Sequence, residues 1–274
     1  MRKNHTLQLL RQGETTLGTW IQLHSITASR LIAAQGCLDW LLVDCEHGAS
    51  SLSNTMALIN AITDVSQGRV TPIARVAAGS IDQIKQLLDC GAQGILVPMV
   101  NTAEEAAAVV RYARFPPLGE RGAGSISAHL TFGSSRVEYV SDGNHEILVA
   151  IQIETQQALA NIDQILEVQG IDLVFIGPYD LTLSLGLPGA FWSESPIFLD
   201  AIKRIINACS KNGLPYGTIV ADPVTALQRK EMGFKFIGLG MDGSHLLSSI
   251  GQQYGQIMNL PDPPGGWANL VKME

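Results

Sequence analysis

Cysteine, charge and long apolar runs are all scarce in this chain, and each scarcity excludes something. The four cysteines, Cys37, Cys45, Cys90 and Cys209, show no Cys-x-x-Cys spacing in 274 residues. That argues against a zinc ribbon or a disulfide scaffold and fits small buried thiols in a reducing compartment, so the cytoplasm is the expected location. Charged residues are 16% of the chain, the net charge is −7, and Lys and Arg are scattered. Without a basic stripe, nucleic acid is not an expected partner. No apolar run approaches the roughly 18 residues of a membrane span, and the opening Met1-Arg2-Lys3-Asn4-His5 leads only to a short segment broken by Arg11 and Glu14. A soluble, unprocessed protein with no membrane partner is expected.

What the chain does have is apolar residues, 46% of the total, arranged in alternating strand-like and helix-like runs. Strands are expected over Leu17–Leu23, Trp40–Cys45, Pro72–Val76, Gly94–Val100, Ile147–Ile153, Leu173–Ile176, Pro215–Val220 and Phe234–Leu239. Between them, Ile81, Ile84 and Leu88 recur at helical spacing, and Thr102–Tyr112 has an Ala- and Val-rich face. Glycines 36, 91, 170, 213 and 233 mark helix stops shortly before the next strand. Eight βα units predict an α/β fold, a (β/α)8 TIM barrel, with an open doubly wound sheet as the competing topology. One barrel domain is expected over residues 1–253. The Pro- and Gly-rich stretch from Tyr254 to Glu274 is expected to form an extended arm, with Trp267 seeking an apolar surface. Phe115–Glu146 reads as a long irregular connection of the kind that serves as a lid or an interface. Its Arg121-Gly122-Ala123-Gly124-Ser125 lacks the lysine of a phosphate-binding loop.

The candidate chemistry sits at the strand ends. In Ile147 to Glu154 the two-residue period puts Ala150, Gln152 and Glu154 on one side and the isoleucines on the other. Asp180 follows the Gly177-Pro178 stop after Leu173–Ile176. Two carboxylates from different strands suit one hard divalent ion such as Mg²⁺, which takes oxygen ligands and leaves positions for water and substrate. The alternative is that each acid merely favours a helix N-terminus. Asp44, Glu46 and His47 close the second run and Arg75 the third. His47 is a candidate general base. Arg75 is either a clamp for a substrate carboxylate or developing charge, or a salt-bridge partner of Asp44 or Glu46. Lys3, Lys85, Lys203, Lys211, Lys230, Lys235 and Lys272 all fall at termini, in helices or at a strand start. None is placed to form a Schiff base in a barrel mouth, so a metal is expected to do the electrophilic work.

Several strings, in order, carry a resemblance: Trp40-Leu41-Leu42-Val43-Asp44-Cys45-Glu46-His47-Gly48, Ile84 to Gly91, Leu96-Val97-Pro98-Met99-Val100, Phe115 to Gly122, Gln152-Ile153-Glu154-Thr155 and Phe175 to Leu181. From about Gly18 to Gly240 the chain resembles the HpcH/HpaI aldolase family of class II, metal-dependent pyruvate aldolases. The resemblance implies Glu154 and Asp180 as ligands of Mg²⁺, Mn²⁺ or Co²⁺, with Gln152, Asp180 and the backbone at Tyr179 contacting a small 2-oxo acid. It also implies His47 as base with Asp89 supporting it, Arg75 as transition-state stabiliser, and a hexameric assembly. The implied reaction is reversible cleavage of 4-hydroxy-2-oxo acids to pyruvate and an aldehyde. Oxaloacetate decarboxylation or a macrophomate synthase-like enolate chemistry is the nearest rival, and a non-catalytic metabolite-binding paralogue the rival of another class. Tyr179 stands where the family commonly has a small residue, which bears on acceptor selectivity.

Overall fold

The apolar runs pair side by side in chain order as β1 (Thr16–Ile21), β2 (Trp40–Asp44), β3 (Thr71–Arg75), β4 (Gly94–Val97), β5 (Leu148–Ile153), β6 (Leu173–Ile176), β7 (Tyr216–Val220) and β8 (Phe236–Met241). Every pairing is parallel, and β8 returns to β1 to close the ring. Closure makes this a (β/α)8 barrel and excludes the open sheet. The computed structural model describes residues 1–125 and 127–260. Its helices are α1 (His5–Arg11), α2 (Ile26–Ala34), α3 (Leu52–Ser66), α4 (Ile81–Asp89), α5 (Ala103–Ala113), α6 (Ala128–Thr131), α7 (Arg136–Glu146), α8 (Gln156–Ala160), α9 (Ile162–Leu166), α10 (Pro178–Ser184), α11 (Pro196–Lys211), α12 (Pro223–Glu231) and α13 (Asp242–Met258).

Local chemistry explains these boundaries. Ser80 and Thr102 cap α4 and α5 through their hydroxyls, and Glu105 completes a capping box on α5. The five glycines expected as helix stops all have positive φ, between 66° and 97°, a conformation that costs a residue with a Cβ. β4 ends at Val97, earlier than expected, because Pro98 offers no N–H to the ladder and Met99 turns left-handed at φ 55°. The connection after α5 is less irregular than its composition suggests. It contains α6 and α7, the latter opened by a Ser135–Glu138 capping box. Arg121 is buried in this segment, its guanidinium 4.6 Å from the Phe115 ring centroid, and Nη2 donates to Tyr139 Oη at 2.6 Å. At the other end, α13 continues through Tyr254 to Met258, past the anticipated start of the arm. The arm's prolines 261, 263 and 264 and Trp267 lie outside the described residues.

The barrel interior combines aliphatic side chains with the rings of Trp20, Trp40, Phe175 and Phe236. Trp40 stacks on Phe236 at 3.9 Å, and Trp20 meets Trp40 edge-on at 5.6 Å. Glycine makes room for them: a Cβ at Gly18 would overlap the Trp40 indole, and one at Gly238 would reach 2.5 Å from Trp20. Below this layer α1, whose helical character the sequence reading missed, plugs the N-terminal end with Leu7 and Leu10. Asn4 fixes the plug, accepting from the Leu7 N–H at 3.0 Å and donating to the carbonyls of Gln93 and Glu146 at 2.8 and 3.1 Å. The filled interior and the plug leave the C-terminal mouth as the place for chemistry. Gly18→Ala should therefore overpack the interior and cost about 1–3 kcal/mol, read as a lower urea midpoint by tryptophan fluorescence; an unchanged midpoint would show that Trp40 has room to move.

Candidate active site

At the C-terminal ends of the strands lies a cavity of about 420 Å³, whose lining includes His47, Arg75, Gln152, Tyr179 and Asp180. Side chains along β5 alternate between the barrel interior and the helices. Ala150 joins the interior cluster, while Ile151 and Ile153 pack outward against the helices. Gln152 and Glu154 are each 2% exposed. Gln152 Nε2 donates to Glu154 Oε2 in a short hydrogen bond, and the Met99 N–H donates to Glu154 Oε1 at 2.8 Å. The left-handed turn at Met99 thus ends β4 and also aims an N–H at Glu154. Gly177 completes this corner, since a Cβ there would collide with both Glu154 and Gln152. Thr155, not Glu154, caps the following helix through its hydroxyl. Asp180 stands exposed in the first turn of α10, which begins with Pro178.

Asp44 organises the opposite side of the mouth. It is fully buried and accepts from Arg75 Nε at 2.9 Å and Nη2 at 2.7 Å, and from Gln22 Nε2 at 2.7 Å. It also accepts from the backbone N–H groups of Glu46 and His47 at 3.1 and 3.3 Å, and so shapes the turn that presents His47. Burial alone would push Asp44 up, but hydrogen bonds from Arg75 and Gln22 hold it below the usual carboxylate value. Arg75 Nη1 forms an ion pair with Glu46 Oε2 at 3.0 Å. The salt-bridge alternative for Arg75 is therefore realised with both acids. It does not exhaust the guanidinium, which has five N–H groups, and Arg75 still lines the cavity.

Asp89 is the candidate that the chain does not bring to the mouth. It is the last residue of α4, and a barrel helix runs back against the strands, so its C-terminal end lies at the opposite end of the barrel from the close of β2. There Asp89 accepts from Arg121 Nη2 at 3.1 Å. The acid near His47 within the chain is instead Glu46, with Oε2 3.7 Å from Nε2. Sequence reasoning also missed Gln22, which directly follows β1 and was legible as the polar end of an apolar run. The Met99 N–H carried no side-chain signal at all.

The corner between β5 and α10 suits a hard cation. Burial pushes the Glu154 carboxyl up to about 7, against the lowering effect of the Gln152 and Met99 hydrogen bonds, with Asp180 and Glu46 adding repulsion. Gln152 Oε1 is buried without a hydrogen-bond partner. No group of three or more His, Cys, Asp or Glu residues able to hold a metal occurs among the described residues. Two carboxylates with the remaining positions left to water and substrate is the pattern of Mg²⁺ rather than of a metal caged by protein.

Known proteins resemble this chain over most of its length. Residues 17–249 match the family described as HpcH/HpaI aldolase/citrate lyase. The chain is 37% identical over 237 residues to a 2-keto-3-deoxy-L-rhamnonate aldolase of Salmonella gallinarum, covering 85% of each. It is 36% identical over 233 residues to a 4-hydroxy-2-oxo-heptane-1,7-dioate aldolase of Escherichia coli, covering 85% of this chain and 87% of that one. A crystal structure of an HpcH/HpaI aldolase/citrate lyase family protein from Burkholderia cenocepacia superposes with a TM-score of 0.87 at 31% identity, covering 93% of this chain and all of that one.

The Glu154 shift has a signed consequence. An ordinary glutamate ionises near 4.5, so between about 4.5 and 7 the metal-free folded protein holds a proton that the unfolded chain has released. Its stability should fall as pH rises through that window. A bound divalent cation favours the ionised form, so Mn²⁺ affinity should climb by up to about tenfold per pH unit towards pH 7 and then level off. Calorimetric titration at several pH values measures this, and Glu154→Gln should abolish the dependence.

Proposed function

Because the chain belongs to the HpcH/HpaI aldolase/citrate lyase family, we propose that it is a divalent-metal-dependent aldolase that reversibly cleaves 4-hydroxy-2-oxo acids to pyruvate and an aldehyde. The observation that carries this reading is the convergence of Glu154, Asp180, Gln152, Arg75 and His47 on one barrel mouth whose described lining contains no lysine. Glu154 and Asp180 would hold the cation. When bound, it supplies Lewis-acid stabilisation of negative charge on the 2-keto oxygen.

The protein's own groups account for the remaining work. Gln152 and the first-turn N–H groups of α10 at Tyr179 and Asp180, which lack intrahelical acceptors, orient the oxo acid. His47 takes the proton of the 4-hydroxyl, the C3–C4 bond breaks, and its electron pair moves to the 2-keto oxygen as the enolate forms and the aldehyde leaves. Arg75 N–H groups face the developing oxyanion. A proton returned to C3 completes pyruvate. Support of His47 by Asp89 requires a second copy of the chain, in keeping with the proposed hexamer; within one chain Glu46 fills that place. The same enolate would arise by decarboxylation of oxaloacetate, which is the second reading. No helix among the described residues is long and apolar enough to cross a membrane, and cytoplasmic residence belongs to the proposal.

Activity should vanish with a chelator and return with Mg²⁺, Mn²⁺ or Co²⁺, and borohydride should trap no substrate on the protein. Full activity in excess chelator, or a trapped adduct by mass spectrometry, would sink the mechanism.

Two substitutions separate the roles of the polar residues. Arg75→Ala should lower kcat by on the order of 10² to 10³ and, by leaving Asp44 buried and uncompensated, also cost roughly 3–5 kcal/mol of stability. His47→Ala should impair aldol cleavage much more than oxaloacetate decarboxylation, which needs no hydroxyl proton removed. Equal losses in both reactions, by pyruvate release, would count against His47 as the base.

A further inference from the structure

The mouth has two unlike halves. Most polar residues of the lining lie at the ends of β1, β2, β3 and β5, with Asp180 on α10 beside Tyr179, whereas the apolar wall is Trp20, Phe175, Tyr179, Phe191, Ile219 and Met241. Tyr179 and Phe191 meet with ring centroids 5.8 Å apart, and Trp20 and Phe175 at 5.2 Å. This wall is built rather than incidental. The fully buried Thr182 donates to the Tyr179 carbonyl at 2.7 Å and accepts from the Ala190 N–H at 3.0 Å, which ties the segment carrying Phe191 to α10. Gly189 lets the Tyr179 ring lie against the backbone, since a Cβ there would come within 2.6 Å of its Cζ.

Charge sharpens the contrast. Arg75 is the one permanent cation among the described residues lining this cavity, and it already faces Asp44 and Glu46. A second carboxylate on the substrate, placed against the aromatic half, would find no cation among one chain's own lining residues, which is unfavourable. An aromatic or branched apolar group there would instead gain ring contacts and buried area.

Resting on the aldolase reading above, we infer that the aldehyde half of the substrate is uncharged and apolar, of aromatic-ring size, and that Tyr179 and Phe191 set this preference. Terminal dicarboxylates, such as the heptanedioate in the name of the Escherichia coli relative, are then poor substrates for this chain.

The test uses the full-length protein saturated with Mn²⁺ and two 2-oxo acids with the same head and different tails, 2-oxo-4-phenylbutanoate and 2-oxoadipate. Calorimetric titration should show the phenyl compound binding at least about tenfold more tightly, the scale of pocket discrimination by a single group. Phe191→Ala should reduce that ratio to about threefold or less while pyruvate itself still binds. Tyr179→Arg, which puts a cation on the wall, should turn the ratio towards 2-oxoadipate. Cleavage rates of the matching 4-hydroxy-2-oxo acids should follow the same order. Equal or tighter binding of 2-oxoadipate by the unaltered protein would overturn the inference and leave the aldolase reading intact. Failure of pyruvate and both 2-oxo acids to bind, with or without Mn²⁺, would overturn the reading itself.

Discussion

The buried pair of Asp44 and Arg75 is the interaction on which the mouth depends. Asp44 has no exposure to water, so its charge is tolerable only because Arg75, Gln22 and two backbone N–H groups are aimed at it. The same carboxylate therefore fixes the ends of β1, β2 and β3 relative to one another and shapes the turn that carries His47. Arg75 in turn faces Glu46 and feels Glu154. One guanidinium is set among more negative charge than it can neutralise, and this imbalance makes a divalent cation complementary to the mouth.

The barrel beneath supplies the rigidity that such a site needs. Glycines at 18 and 238 make room for Trp40 and Trp20 in the interior, and α1 seals the far end through Asn4, Leu7 and Leu10. With the strands locked by this packing, Gln152 near the end of β5 and Glu154 just after it are held side by side and cannot drift to solvent to escape the burial that raises the Glu154 pKa. The Gly177 gap and the left-handed Met99 are local concessions of backbone geometry that keep this corner open for the two side chains.

Division of the mouth into an acidic polar half and an aromatic half separates two tasks. In the proposed reaction the polar residues would address the oxo acid head, and the wall of Tyr179 and Phe191 the part that departs as aldehyde. The Tyr179 side chain and the segment carrying Phe191 can therefore vary while Asp180, on the same helix, keeps its place in the chemistry, as expected where loops on a constant barrel carry specificity.

The sequence by itself determined the eight strands, the helix stops at glycine, and the assignment of Gln152 and Glu154 to one face, because strand period and left-handed glycine conformations are local properties. It also placed Asp44, His47, Arg75 and Asp180 at one end of the barrel, since in this fold a strand's C-terminus defines that end. Only the tertiary structure decided that Arg75 pairs with both Asp44 and Glu46, that Asp89 lies away from His47 on the far end of α4, and that the Met99 N–H serves Glu154. Those facts depend on how elements distant in sequence meet, on backbone dihedrals and on the direction in which a helix returns. No spacing in the linear chain encodes them. The helices of the segment after α5 were hidden for a related reason: their burial of Arg121 between Phe115 and Tyr139 is a tertiary contact that outweighs a composition rich in turn-forming residues.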